Sequence, residues 1–218
     1  MAKKERFGIP FVVMLIALLL IGMGSAISTA QEYPVLTTSA GQSADIVTLN
    51  LLCEHAGVLY DYSDVPNVDM VKSGVGLGGL ESRAGFYVES YTDRDLYPEG
   101  TPFKTVLVAI GASLKGMGAS GLSVGDEIKR LDDVLTYCKV QGMYIVGIHL
   151  GGVATRGAAG SDNERMIDVV AKYADHLVVT EAGNNDGRFE ALGVEKNIEA
   201  TVLKNAMQLI QFLTDLFE

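Results

Sequence analysis

The chain has 218 residues and a formal net charge of −10 at neutral pH, from 17 basic and 27 acidic side chains. So acidic a surface repels phosphate backbones and anionic lipid, which excludes nucleic acid as a partner. Two cysteines and three histidines without zinc-type spacing provide no metal-site or disulfide framework to read.

The first thirty residues read as a targeting segment. Lys3, Lys4 and Arg6 precede an apolar stretch from Phe7 to Met23, and Ser28, Thr29 and Ala30 follow. This is the pattern of a secretory signal peptide cleaved after Ala30. The apolar stretch also approaches the ~17–25 residues of a membrane span, so an uncleaved N-terminal anchor is the alternative. Cleavage predicts a periplasmic or extracellular protein. It removes three basic residues and one acidic residue, leaving 14 against 26 and a net charge of −12. Residues 31–218 are long enough for one α/β domain with a full core, and no linker or repeat divides them. Export would place Cys53 and Cys138 in an oxidising compartment. Both fall on predicted helices among apolar neighbours, where burial as free thiols competes with a disulfide.

The elements follow in order. Pro34–Thr38 reads as a strand. Ile46, Leu49, Leu52 and Cys53 then repeat at helical spacing, with Ser43 as N-cap and Gly57 as terminator. Val58–Tyr62 alternates as a strand. Residues 72–103 break the rhythm: glycines 74, 76, 78, 79 and 85 sit among Phe86, Tyr87, Tyr91 and Tyr97, and Phe86–Tyr91 reads as an extra strand in a glycine-rich insertion. A long loop inside a domain usually has a use or is mobile. Thr105–Ile110 is a continuous apolar strand, as in parallel sheets covered on both faces. Helix Asp126–Cys138, strand Tyr144–Ile148, helix Asp162–Tyr173 and strand His176–Thr180 follow. Strand Ile198–Val202 and helix Lys204–Phe217 close the chain. Alternation of this kind predicts a Rossmann-like or flavodoxin-like three-layer domain with a mostly parallel sheet of five or six strands. Ligands of such sheets bind beyond the carboxyl ends of the strands, where the strand order reverses.

The loop after the third core strand, Gly111 to Gly121, contains Gly116-Met117-Gly118-Ala119-Ser120-Gly121. This matches G-x-G-x-x-G, but Gly116 stands six residues past Ile110, and the following helix starts only near Ser123 or Asp126. The dinucleotide fingerprint needs its first glycine at the strand end. A Walker A loop fails too, because Lys115 precedes Gly116 and Met117 occupies the lysine position. No cofactor is therefore predicted. Gly111-Ala112-Ser113-Leu114-Lys115 lacks the last glycine of a nucleophile elbow. What survives is a polar or anion-binding loop, with backbone amides at Gly116 and a positive charge at Lys115, against a plain glycine turn.

The other strand ends supply further candidates. Ser39, Gln42 and Ser43 follow the first strand beside a helix N-terminus. His149 ends the Tyr144 strand, and Arg156 lies in the flexible stretch 151–160. Glu181, Asn184, Asn185 and Asp186 follow His176–Thr180. They lack EF-hand spacing but offer groups for a hydroxylated ligand or a hard cation, or build an ordinary turn.

The stretches TSAGQSAD (38–45), IGASLKGMGASG (110–121), GIHLGG (147–152), RGAAGSDNER (156–165) and GNNDGRF (183–189) resemble an uncharacterised family of exported bacterial proteins. That family is known only as a domain of unknown function. The resemblance implies an α/β domain behind a signal peptide and names no substrate.

The leading expectation is a binding protein for a small polar or anionic solute. Ser39, Gln42, Ser43, Ser113, Lys115, Gly116, His149, Arg156, Glu181, Asn184, Asn185 and Asp186 would contact it. The alternatives are an extracytoplasmic hydrolase using Ser113 or His149 with Glu181 or Asp186, and a non-catalytic partner of a membrane transport complex docking through 72–103.

Overall fold

A computed structural model describes residues 30–218. The apolar stretch and basic residues of the expected signal peptide or anchor lie outside the described residues. Among the described residues, no helix is long and apolar enough to cross a membrane.

Runs rich in Val, Ile and Thr make most of the central strands, while β2 is built from tyrosines. β1 (Val35–Ala40), β2 (Tyr60–Ser63), β4 (Thr105–Ile110), β5 (Tyr144–His149), β6 (His176–Thr180) and β7 (Glu199–Leu203) pair in parallel, and β3 (Val88–Ser90) pairs antiparallel with β2. The order is β3-β2-β1-β4-β5-β6-β7. Seven strands thus stand where five or six were expected. The insertion adds one edge strand, and the strand expected at Ile198–Val202 lies one residue later as the other edge. The order reverses at β1, from which the chain steps outward to β2 and then returns to β4 on the opposite side.

Eight helices are described. α1 (Asp45–His55) and α8 (Gln208–Phe217) cover one face of the sheet, while α2 (Val68–Lys72), α4 (Val124–Val140), α6 (Asp162–Ala171) and α7 (Arg188–Lys196) contribute to the core on the other. The short helices α3 (Leu114–Ala119) and α5 (Val153–Arg156) sit in loops after β4 and β5. In β4, Val106, Val108 and Ile110 enter one core and Leu107 and Ala109 the other. Two-sided burial is why this strand reads as an unbroken apolar run. α6 lies so close to β5 that a Cβ at Gly147 would stand 2.8 Å from the Val170 side chain.

Local chemistry sets the helix starts. Ser123 and Asp126 form a reciprocal capping box on α4, and Ser161 caps α6 through the Glu164 amide. The first helix differs slightly from expectation. Its N-cap residue is Ala44, although Ser43 Oγ still accepts the Asp45 N–H at 3.2 Å. The closing helix begins at Gln208 instead of Lys204, because residues 199–203 extend as β7 first.

The glycine-rich insertion is tied to β2 by two buried aspartates. Asp61 accepts from Gly76 N at 2.6 Å and from Ser90 Oγ at 2.5 Å, and Asp64 accepts from Tyr87 N at 2.8 Å. Asp61 is fully buried, so the alternation of Val58–Tyr62 does not mark a solvent face; all four residues of β2 are buried.

Cys53 and Cys138 are free thiols, buried in the two cores on opposite faces of the sheet. Burial pushes both thiols up to about 12, which leaves them unreactive.

Candidate functional site

The loops after β1 and β4 meet at the reversal point and fill it with their own atoms. Gly41, at φ +71°, packs so closely that a Cβ would overlap the Gly111 carbonyl oxygen, and a Cβ at Gly111 would stand 2.5 Å from Ser43 Oγ. Gln42 lies across the junction. Its amide donates to Asp64 O at 2.9 Å and to Ser39 Oγ at 3.3 Å, and its Oε1 accepts from Ser120 Oγ at 3.2 Å. Ser39 is buried and its hydroxyl donates to Asp64 O.

The glycine stretch does not remain an open loop. Leu114–Ala119 winds into α3, with Ser113 as its N-cap accepting the Gly116 N–H at 3.0 Å. Helix formation folds the amide expected to face a ligand onto a serine of the same turn. The buried Met117 anchors α3 to the core, which explains why glycines flanking it tolerate a helix. Lys115 is exposed and has no ion-pair or hydrogen-bond partner among the described residues.

Two buried ion clusters brace this end of the sheet. Glu127 is fully buried; its carboxylate accepts from Arg130 Nε at 2.8 Å and Nη2 at 2.7 Å, and from Gly41 N at 2.8 Å. Arg130 also donates to Ser39 O and Pro66 O, so one guanidinium ties α4 to the ends of β1 and β2. Arg156, only 3% exposed, donates to Glu164 Oε1 at 2.7 Å, to Gly183 O at 2.6 Å and to Asp186 Oδ2 at 2.5 Å. Arg188 adds bonds to Glu164 and Asp168. Arg156 draws the Asp186 carboxyl down to about 2. The Arg156 charge is thus neutralised within the protein.

His149 is buried between these clusters. Its Nδ1 lies 2.9 Å from the Ile110 carbonyl, which assigns the proton to Nδ1, and its ring stacks on Phe189 with centroids 5.8 Å apart. Nε2 is buried without a partner. Burial holds the imidazole below its ordinary value, so the ring is neutral at pH 7. Asn184, three residues before the Gly187 N-cap of α7, accepts the Phe189 N–H and donates to Glu190, whereas Glu181 and Asn185 are exposed. Among the described residues, no group of three or more His, Cys, Asp or Glu is placed to hold a metal ion.

Sequence reasoning missed Glu127, Arg130, Glu164 and Arg188. A signal was present: Glu127 shares its helix face with Leu131 and Val134, and Glu164 shares one with Ile167 and Ala171. A carboxylate on an apolar stripe is buried and needs a partner.

A different surface opens at the β3 edge. A groove of about 470 Å³ runs between α1 and the β2–β3 ribbon, walled by Ile46, Val47, Leu51, Tyr60, Tyr62 and Tyr87, with Asn50, Glu54 and Glu89 as its polar groups. Tyr60 donates to Glu54 at 3.1 Å and its ring lies 5.2 Å from that of Tyr91. Val47, Leu51, Tyr87 and Tyr91 expose apolar surface here, at 72%, 51%, 52% and 47%. Asn50 is buried, and its Oδ1 has no hydrogen-bond partner. The groove exists because α1 packs over β1 and β4, on the inner side of β2, and leaves the β2–β3 edge beside it uncovered. A second cavity, about 350 Å³, lies at the opposite end of the sheet near Lys104, Tyr144 and Asp175. None of the predicted site residues lines it.

No curated protein matches the chain significantly in sequence. Residues 32–217 match a family described as a domain of unknown function, DUF6305. The match spans the whole sheet and both helical layers, and the chain belongs to the DUF6305 family.

Proposed function

We propose that this is an exported, non-catalytic domain that binds a small organic solute in the tyrosine-lined groove between α1 and the β2–β3 edge. The observation that carries the reading is the groove itself. Its volume, about 470 Å³, falls in the ~300–1,000 Å³ range of small-molecule sites, and its walls are mainly apolar with a few polar groups. Export rests on the basic, apolar and small-residue pattern of residues 1–30.

Charge pairing supports this groove over the strand-end rim first expected to hold a polar or anionic solute. At the rim an anion would find Lys115 exposed and unpaired, but Arg130 already held by Glu127 and Arg156 by Glu164 and Asp186. Binding is favoured over hydrolysis because Ser113 caps a helix and His149 faces the Ile110 carbonyl behind Phe189.

The chain has nine tyrosines and no tryptophan, and three of them, Tyr60, Tyr62 and Tyr87, line the groove, so a ligand there changes part of the tyrosine emission. Solutes are titrated into the purified protein while emission and melting temperature are followed. Binding lost in Leu51→Lys and Tyr87→Ala but kept in Lys115→Ala supports the groove. Binding lost in Lys115→Ala alone would move the site to the rim.

A further inference from the structure

We infer that the groove selects an organic cation, a small amine or quaternary ammonium carrying apolar substituents. This rests on the binding reading above and names its ligand class. Charge is the first ground. Neither Glu54 nor Glu89 forms an ion pair with any described residue, and no Lys, Arg or His lines the groove. The carboxylates at the strand-end rim do the opposite: Glu127, Glu164 and Asp186 each have an arginine.

The hydrogen-bonding pattern is the second ground. Glu54 accepts from Tyr60 OH and Glu89 from Tyr91 OH, at 3.1 and 3.3 Å, which fixes each carboxylate beside an aromatic ring. Asn50 Oδ1 is a further buried acceptor with no donor. Carboxylates that lack a counter-charge, beside an amide oxygen that lacks a donor, favour a ligand that donates or is positive.

The aromatic walls are the third. Tyrosine ring faces attract ammonium groups through the ring quadrupole, and quaternary ammonium ligands use this mode of recognition. Leu51 and Val47 would take the apolar substituents. An anion or a bare sugar acid meets two carboxylates here and is excluded.

The test compares cations with neutral molecules of the same shape. Choline is titrated beside 3,3-dimethylbutan-1-ol, and n-butylammonium beside butan-1-ol, with tyrosine emission as readout in low salt. The expected result is a preference of about tenfold or more for each cation. That preference should shrink several-fold in Glu54→Gln and in Glu89→Gln and vanish in the double variant. Both glutamates are exposed, so the folds should persist, which melting temperature checks. Equal affinity for cation and isostere would overturn the cation inference and leave the groove reading standing. Binding of uncharged sugars or amides, with no response to either cation, would do the same. Silence from every charged and neutral solute would overturn both. Association with phosphatidylcholine vesicles but not with free choline would overturn the small-solute form of the inference.

Discussion

The strand-end rim and the β3-edge groove are built from similar residue types put to opposite uses. At the rim, arginines, carboxylates, serines and a glutamine satisfy one another: Arg130 holds Glu127, Arg156 holds Glu164 and Asp186, and Gln42 bridges three segments. In the groove, two glutamates and an asparagine face a cavity with no cation of the protein beside them. The difference shows that polar residues gathered at strand ends are as readily a brace as a binding site. Burial decides between the two, because a charge removed from water must find its partner inside the fold.

The largest effect expected from breaking the brace is at Arg130. Arg130→Ala leaves Glu127 buried without a counter-charge, which costs about 3–5 kcal/mol. At ~2–4 °C per kcal/mol for a domain this size, the melting temperature should fall by about 6–20 °C. Replacing both partners, Glu127→Leu with Arg130→Met, should recover most of the loss. A single variant that melts like the parent would mean the pair is not a brace.

A smaller effect is expected at Ser113. Ser113→Ala removes the cap of α3 and should cost about 1 kcal/mol in urea unfolding. A loss of several kcal/mol would show that the hydroxyl does more than cap.

The rim should also make stability depend on pH. Burial lowers the His149 value in the folded state, so the folded protein resists protonation that the unfolded chain accepts. The contribution is fully present above about 6.5 and is lost as pH falls below it. His176, lowered by the same cause, acts in the same direction. Urea midpoints measured from pH 7.5 to 5.5 should fall, and His149→Gln should flatten the slope. An unchanged slope would assign the effect to His176 alone.

The smallest effect sharpens the contrast from the other side. Lys115 is exposed and unpaired, so Lys115→Ala should leave the melting temperature unchanged. A clear destabilisation would show that Lys115 belongs to the brace.

Much of the fold was legible from local pattern. The apolar run at 105–110, the helical spacing at 46–53 and the caps at Ser123 and Ser161 follow from side-chain period and capping chemistry, which act within a few residues. Four helices were not: the short α2 and α5, and α3 and α7. α3 forms among glycines 116 and 118 because Met117 enters the core, and α7 follows an Asn-Asp-Gly turn because Phe189 is buried beside His149. In α3 and α7, long-range burial outweighs weak local propensity.

The candidate site divides along the same line. Sequence alone determined the charge balance, the α/β alternation and the strand-end location of Ser39, Gln42, Ser113, His149 and Arg156. Their partners were beyond its reach, since Arg130 meets the Ser39 carbonyl across 91 positions and Arg156 meets Asp186 across 30. The groove is tertiary altogether. Tyr60 and Tyr62 face the α1 side through the pairing of β2 with β1, and Tyr87 joins them because Asp61 and Asp64 hold the insertion against β2 as an added edge strand. Periodicity records which side of an element is buried; only the packed chain determines what it is buried against.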